Sequence, residues 1–411
     1  MPKSPGTKTP WLNPTVLGIG LASLFSDWSH EIATTVMPAF LATMGVAAFW
    51  VGLIEGVSDG LSSFAKMASG YYTDKLRRRK PVAVIGYLVT ALGTASFGLA
   101  TAAWHVLISR ACAWLGRGVR TPVRKALLAG SVTKETYGRA FGFERMMDTL
   151  GAIVGPASAF FLLQAVNHHY PTLFALTLVP GLLAVGMIAF AVKEKERAPV
   201  PHISFGKRLR MLPPRFRRFL VAVGLFGAGD FAHTLLILLA TQKLTPELGA
   251  AKAASLAVAL YVLHNVCYAG FAMVAGWVAD RVNKGVLLAG GYFLAAVMTL
   301  GIVLLPMTVW TLALIFLIGG VYVGMEETLE DAFCAELVPE PQHGMAFGTL
   351  ATVNGVGDFV SSAVVGLLWT LAGVRVAFAY SGVLFVLGGL LAWRVARTTA
   401  SAGKTPAAGQ W

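Results

Sequence analysis

The sequence predicts an all-α polytopic membrane protein of twelve transmembrane helices, arranged as two pseudo-symmetric six-helix bundles. Three observations carry this: charges too few for a soluble chain, apolar windows of membrane-crossing length along nearly the whole sequence, and a unit that repeats at a fixed offset. Only 13% of the 411 residues are charged while 56% are hydrophobic, and mean hydropathy is +0.68. So few ionisable groups cannot cover a water-soluble globule of this size.

A helix crossing the hydrocarbon needs about 20 mostly apolar residues. Such windows fall at 15–43, 47–71, 82–102, 105–130, 138–164, 171–192, 217–241, 254–279, 285–305, 309–336, 345–370 and 375–396. The stretch from Gly285 to Leu305 is apolar on every side, which fits a helix and not the alternating pattern of a barrel strand. The organisation expected is a first bundle over 1–192, a basic linker over 193–216 and a second bundle over 217–411 with a short tail.

Charge sets the orientation. Residues 193–218 hold nine Lys and Arg against Glu194 and Glu196, a net of +7, and the loop at Lys75–Lys80 and the tail at Arg394 and Arg397 add to the same side. By the positive-inside bias this side is cytoplasmic, so both termini are expected inside a multi-pass protein of the inner (plasma) membrane. The same bias accounts for the net charge of +13, so nucleic acid is not an expected partner. Cys112, Cys267 and Cys334 all fall inside spans, without disulfide or paired zinc spacing, and read as small core residues. The first apolar stretch is too long and too polar at its middle for a cleaved signal peptide.

The repeat is read from two matches. Gly70-Tyr-Tyr-Thr-Asp74 after span two recurs as Gly276-Trp-Val-Ala-Asp280 after span eight, and Gly138-Arg-Ala-Phe-Gly142 recurs as Gly344-Met-Ala-Phe-Gly348, both 206 residues apart. Asp27-x-x-His30 and Asp230-x-x-His233 recur at 203. The chain is a duplicated six-helix unit.

Gly70-x-x-x-Asp74-x-x-x-Arg78-Arg79 resembles the loop motif of the major facilitator superfamily, and the resemblance covers essentially the whole chain. It implies two bundles related by an axis along the membrane normal, a midplane site between them and alternating access. Asp27-Trp-Ser-His-Glu31, Val51-Gly-Leu-Ile-Glu55-Gly, Gly116-Arg-Gly-Val-Arg120-Thr-Pro and the segment from Ala140 to Asp148 resemble a little-studied prokaryotic subgroup with no single substrate. The motif's second loop glycine is Arg77 here and Asn283 in the second copy. Asn tolerates a left-handed turn better than Arg does. Gly151-x-x-x-Gly155-Pro156 resembles part of a span-five motif of antiporters, a pointer to export, although Ala159-Phe160 replaces the following glycine pair.

Ionised groups near a bilayer centre cost about 2.5–3.5 kcal/mol each, so they face a cavity or a partner. Asp27, His30, Glu31 and Thr34 share one face of span one, and Asp230, His233 and Thr234 are placed likewise on span seven. The resemblance puts both faces on the cavity, opposite each other. Asp27 and Glu31 are then proton-coupling candidates with Asp230 as counterpart, the alternative being permanent pairing with an arginine. His30 and His233, with His264 and Cys267, could ligate a metal, but no pair has ligand spacing, so neither metal nor cofactor is assigned.

On span four Arg110, Arg117, Arg120 and Arg124 form one stripe. The 206 offset maps Arg120 to Glu326, Arg124 to Glu330 and Lys125 to Asp331, so one copy is basic where the other is acidic. We read these as ion pairs between the halves that form a gate. The alternatives are pairing of the arginines within their own bundle, to Glu144 and Asp148 of span five, or binding of an anionic substrate. Resemblance assigns Arg110 to proton movement or to bracing the loop motif. Glu55, Asp59 and Lys66 form a stripe on span two, expected to pair with spans one or four, with Lys66 snorkelling towards the cytoplasm. Gly70 and Gly276 allow close helix approach, and Asp74 and Asp280, flanked by Arg78 in the first copy, fit the positive N-terminal ends of spans eleven and five as a latch.

No phosphate-binding loop, nucleophile elbow or zinc-hydrolase motif occurs, so no enzyme activity is expected. The expected function is secondary active transport of a small polar or charged solute, coupled to protons, by a monomer. The alternatives are import of a metal ion or chelate, and a receptor that binds without transporting.

Overall fold

The computed structural model describes residues 10–45, 48–194, 196 and 204–402. Helix α1 (Pro14–Thr43) begins where the Asn13 side chain accepts from the Thr15 and Val16 amides at 2.9 and 3.1 Å, which satisfies two of the amides a helix start leaves open. It is followed by α2 (Ala48–Thr73), α3 (Lys80–Ala95), α4 (Ala103–Ala129) and α5 (Tyr137–Ala165). The sixth span is α6 (Tyr170–Leu176) and α7 (Leu178–Gly186), ending in one wider turn over Met187–Ala191. A short linker helix, α8 (Phe205–Met211), precedes the second half.

That half opens with α9 (Pro214–Gly227) and α10 (Thr234–Leu248), which together make the seventh span, and continues with α11 (Ala250–Ala279), α12 (Lys284–Leu304), α13 (Val309–Leu337), α14 (His343–Ala372) and α15 (Val374–Ala402). Among the described residues, eight helical stretches are long and apolar enough by length and composition alone to span a membrane. The other four are α1, α2, α4 and the interrupted seventh.

Within the first half α1 packs on α5 and α7, while α2 and α3 pack on α4; within the second α11 packs on α10 and α13, and α12 on α13 and α15. The halves meet along two seams, α2 against α14 and α5 against α11. At one end the seams are backbone against backbone: a Cβ on Gly70 would collide with the Gly344 carbonyl, and one on Gly276 with the Gly138 carbonyl. Gly56 of α2 lies about four turns from Gly70, and Gly366 of α14 about six turns from Gly344, each within about 40° of the same helix face. Nothing stands within 4 Å of where their Cβ atoms would be, so the halves are splayed at the other end.

The closed end also carries the start of α1, because the Asn13 side-chain Nδ2 donates to the Ser131 carbonyl at 2.9 Å and the Lys193 backbone amide to Thr15 Oγ1 at 3.0 Å.

Three expectations are corrected here. Span seven is not one helix: it breaks over residues 228–233, so Asp230 and His233 lie in the break and not on a shared helical face. Its exposed backbone is met by side chains, with Tyr380 Oη donating to the Ala228 carbonyl at 3.0 Å, Ser361 Oγ to the Asp230 carbonyl and the Ala232 amide to Ser362 Oγ at 3.0 Å. Such partners are what irregular backbone needs at membrane depth. Asn283 is extended, with φ −67°, and caps α12 by accepting from the Val286 amide at 3.1 Å, so it makes no left-handed turn. Cys112 is exposed on α4 and is not a core residue, whereas Cys334 is buried.

Candidate functional site

At the closed end the two loop aspartates make equivalent contacts. Asp74 accepts from the Gly344 and Met345 amides, each at 2.9 Å, and Asp280 accepts from the Gly138 and Arg139 amides at 2.8 and 3.2 Å. Each carboxylate therefore sits on the open amides that begin a helix of the opposite half. Arg79, not Arg78, is the loop arginine paired with Asp74. Arg78 turns outward to Glu196, and both are exposed. A second cation comes from the linker: Arg208 of α8 is 2% exposed and its Nη2 lies 3.5 Å from Asp74 Oδ2.

Beyond this seal lies a layer of ion pairs between the halves. Lys125 Nζ of α4 is 2.7 Å from both carboxylate oxygens of Asp331 on α13. Arg145 of α5 reaches Glu327 of α13 at 2.8 Å and Asp331 at 4.0 Å, while also holding Asp148 at 3.1 Å.

Of the three pairs expected from the repeat, only Lys125–Asp331 is made. Arg124 turns into its own half, to Glu144 at 2.8 Å and Asp148 at 3.4 Å, and also donates to Ser23 Oγ at 2.6 Å. Glu330 accepts from Tyr292 and from Asn354, the latter at 2.7 Å. Arg120 lies over the Tyr87 ring at 4.0 Å, with Asp27 at 4.0 Å. Glu326 is buried and meets neither Arg120 nor any other cation within 4 Å among the described residues. The reason is geometric: a residue touches its own symmetry mate only beside the symmetry axis, and successive helical positions turn about 100° away from it.

The α1 cluster faces α4. Asp27 Oδ2 is 3.3 Å from Arg117, so Asp27 is paired with arginine in this state. Glu31 is 3.8 Å from His30, with no arginine within 4 Å among the described residues. His30 stacks edge-on against Trp114, which donates to Asp59 at 2.7 Å and lies 4.1 Å beneath Arg110. Arg110 also donates to Thr34 Oγ1 at 3.3 Å. The Glu55 side chain lies outside the described residues.

In the second half Asp230 accepts from Tyr322 Oη at 3.1 Å, and His233 stands against His264 with ring centroids 4.6 Å apart. His30 and His233 therefore have separate surroundings, and no group of three or more His, Cys, Asp or Glu side chains capable of holding a metal occurs among the described residues.

A cavity of about 190 Å³ lies between the halves against the ion-pair layer. It contains Arg117, Lys66, Asn354 and Asp358 in its lining. Lys66 thus faces the space between the halves and does not snorkel to the surface. Sequence reading missed Arg145, Glu327 and Asp358. Arg145 and Asp148 at i, i+3 within a stretch already notable for charge was the available signal; Glu327 was masked by Glu326, its neighbour in sequence.

Comparison with known proteins agrees with this architecture. A family model described as Major Facilitator Superfamily matches residues 19–329 and 219–411. An uncharacterised MFS-type transporter of Methanocaldococcus jannaschii is 27% identical over 380 residues, 92% of this chain and 94% of that protein. Among solved structures, an MFS transporter, FucP, in the outward conformation is similar with a TM-score of 0.75 at 16% identity, covering 93% of this chain and 99% of that one. The human organic anion transporter MFSD10 is similar with a TM-score of 0.74 at 14% identity, covering 94% and 100%.

Proposed function

Since the chain belongs to the major facilitator superfamily, a family of secondary transporters that span the membrane many times, we propose that it moves a small polar or charged solute by proton-coupled alternating access between its two halves. The observation that carries this reading is the layer joining Lys125 to Asp331 and Arg145 to Glu327, between a cavity on one side and the glycine seams on the other. These pairs form when the halves close at the end bearing the termini and must break for the cavity to open there. With the basic linker placed in the cytoplasm, the structure corresponds to an outward-facing state. The aspartates at Gly344 and Gly138 act as the latch of that state.

Glu31 is the coupling carboxyl in this reading, with Asp27 as its arginine-held neighbour. Glu31 can bind and release a proton without breaking an arginine pair, whereas protonating Asp27 would release Arg117. Export is the direction suggested by the resemblance of Gly151-x-x-x-Gly155-Pro156 to a span-five motif of antiporters; these glycines let α5 close onto the part of α1 that carries both carboxyls, since a Cβ on Gly151 would stand 3.1 Å from the Asp27 Cβ and one on Gly155 would collide with the Glu31 Cβ.

The test is side-specific thiol labelling of Thr121→Cys, in the cavity, after replacement of Cys112, Cys267 and Cys334. Labelling from the outer face, with inner labelling gained when Lys125 is replaced by Ala, supports alternating access. Labelling from a single face in every variant refutes it.

A further inference from the structure

The charges around the central cavity are not equivalent once their partners are assigned. On the wall from the first half, Arg117 is held by Asp27, and Lys125 and Arg145 are engaged across the layer. Lys66 of α2 lines the same cavity and has no hydrogen-bond or ion-pair partner among the described residues. On the opposite wall Asp358 of α14 is the carboxylate left in the same condition. Asn354, one turn from Asp358, also lines the cavity, and its Oδ1 is buried without a partner.

The two uncommitted charges belong to helices that pack on each other. A Cβ on Gly348 would stand 2.7 Å from the Lys66 carbonyl, so Lys66 starts level with Gly348, and Asp358 lies ten residues further along α14, about 15 Å by helical rise. The Lys66 stem covers part of that distance, and both groups line the cavity without an ion pair joining them. A space is kept between one cation and one anion.

Resting on the reading of this cavity as the transport site, we propose that its substrate class is a small zwitterion, whose carboxylate or other anionic group meets Lys66 and whose ammonium meets Asp358. A ligand with one charge would displace water from both Lys66 and Asp358 on entering the cavity while compensating only one of them, which is unfavourable. A zwitterion compensates both at once. Size is consistent with this, because sites for drug-sized ligands run at about 300–1,000 Å³ and this cavity holds 190 Å³. The partnerless Asn354 Oδ1 offers an acceptor to an ammonium beside Asp358.

The experiment is thermal stability of the purified full-length protein against straight-chain terminal amino acids from glycine to 6-aminohexanoate, each compared with its methyl ester and its N-acetyl derivative. A native-state ligand raises apparent stability. At least one zwitterion raises Tm, while its singly charged derivatives at equal concentration do not. Lys66→Ala and Asp358→Asn each weaken that binding at least tenfold with unliganded Tm unchanged, since neither side chain has a partner to lose. Lys66→Asp combined with Asp358→Lys regains it.

Equal stabilisation by an ester or an N-acetyl form, no response across the series, or full binding by Lys66→Ala overturns the proposal. Flux in proteoliposomes separates it from the transport reading. A zwitterion that binds but is not carried supports the substrate class and removes transport; a singly charged solute that is carried while no zwitterion binds retains transport and overturns the class.

Discussion

Lys125 and Asp331 touch at 2.7 Å although they occupy the same position in the two copies of the repeat, 206 residues apart. Two symmetry-related residues can meet only where the axis relating the halves passes between them. This pair therefore marks that axis at the ion-pair layer, a place where a rocking motion of the halves would have to separate opposing side chains.

Lys125→Ala leaves Asp331 with only the more distant Arg145, and we expect a loss of about 1–3 kcal/mol from the closed state, less than the roughly 3–5 kcal/mol of a fully orphaned buried charge. At about 1.4 kcal/mol per tenfold that is a shift of roughly five- to 140-fold towards opening at the terminal side. Double exchange, Lys125→Asp with Asp331→Lys, restores most of it. Side-specific labelling reads both, and unchanged accessibility in the single variant would show that the pair does not hold the state.

Gly70→Val and Gly276→Val should each force a seam apart, because the added Cβ meets a backbone carbonyl and not a side chain that could turn away. Distances between spin labels on α2 and α14 should lengthen for Gly70→Val, and on α5 and α11 for Gly276→Val. Gly56→Val, on the same face but in open space, should leave both unchanged.

Arg208→Ala removes the linker's contact with Asp74 and its donation to the Tyr71 carbonyl at 3.3 Å. We expect α8 to exchange amide hydrogens faster and stability to fall by about 1.5–3 kcal/mol, the range for losing hydrogen bonds to a charged group. Exchange at wild-type rates would mean that Phe205, packed on Tyr71 with centroids 5.4 Å apart, holds the helix alone.

Glu31→Gln should preserve exchange of substrate across the membrane while abolishing accumulation driven by a proton gradient. Asp27→Asn should impair both, since it also frees Arg117. Proton-driven accumulation that survives Glu31→Gln would remove this residue from coupling.

The architecture was legible because hydropathy and a fixed offset are properties of the chain itself. The loop aspartates could be placed from their spacing, since a carboxylate four residues after a packing glycine has few destinations other than a helix start. Orientation about the helix axis was not legible. Arg124 and Lys125 are adjacent in sequence, yet one turns to Glu144 in its own half and the other to Asp331 in the opposite half. The break in span seven was also hidden, because Asp230, His233 and Thr234 read as one face of a continuous helix until Tyr380, Ser361 and Ser362 are seen to meet its exposed backbone.

The linker's two anchors bear on how one half can swing against the other. Glu194 accepts from the Arg79 and Lys80 amides at 2.7 and 2.8 Å, and Arg208 is fastened at Asp74, so both ends of the connection are moored to the first half. What remains between α8 and α9 is Leu212 and Pro213, with Leu212 1% exposed and Pro213 followed directly by Pro214. Little slack is left there: despite the length of the tether, the pivot is a stiff elbow of two residues. Cutting the chain before Arg208 should leave two pieces that still assemble, whereas inserting glycines at Pro213 should blunt the swing without disturbing either bundle.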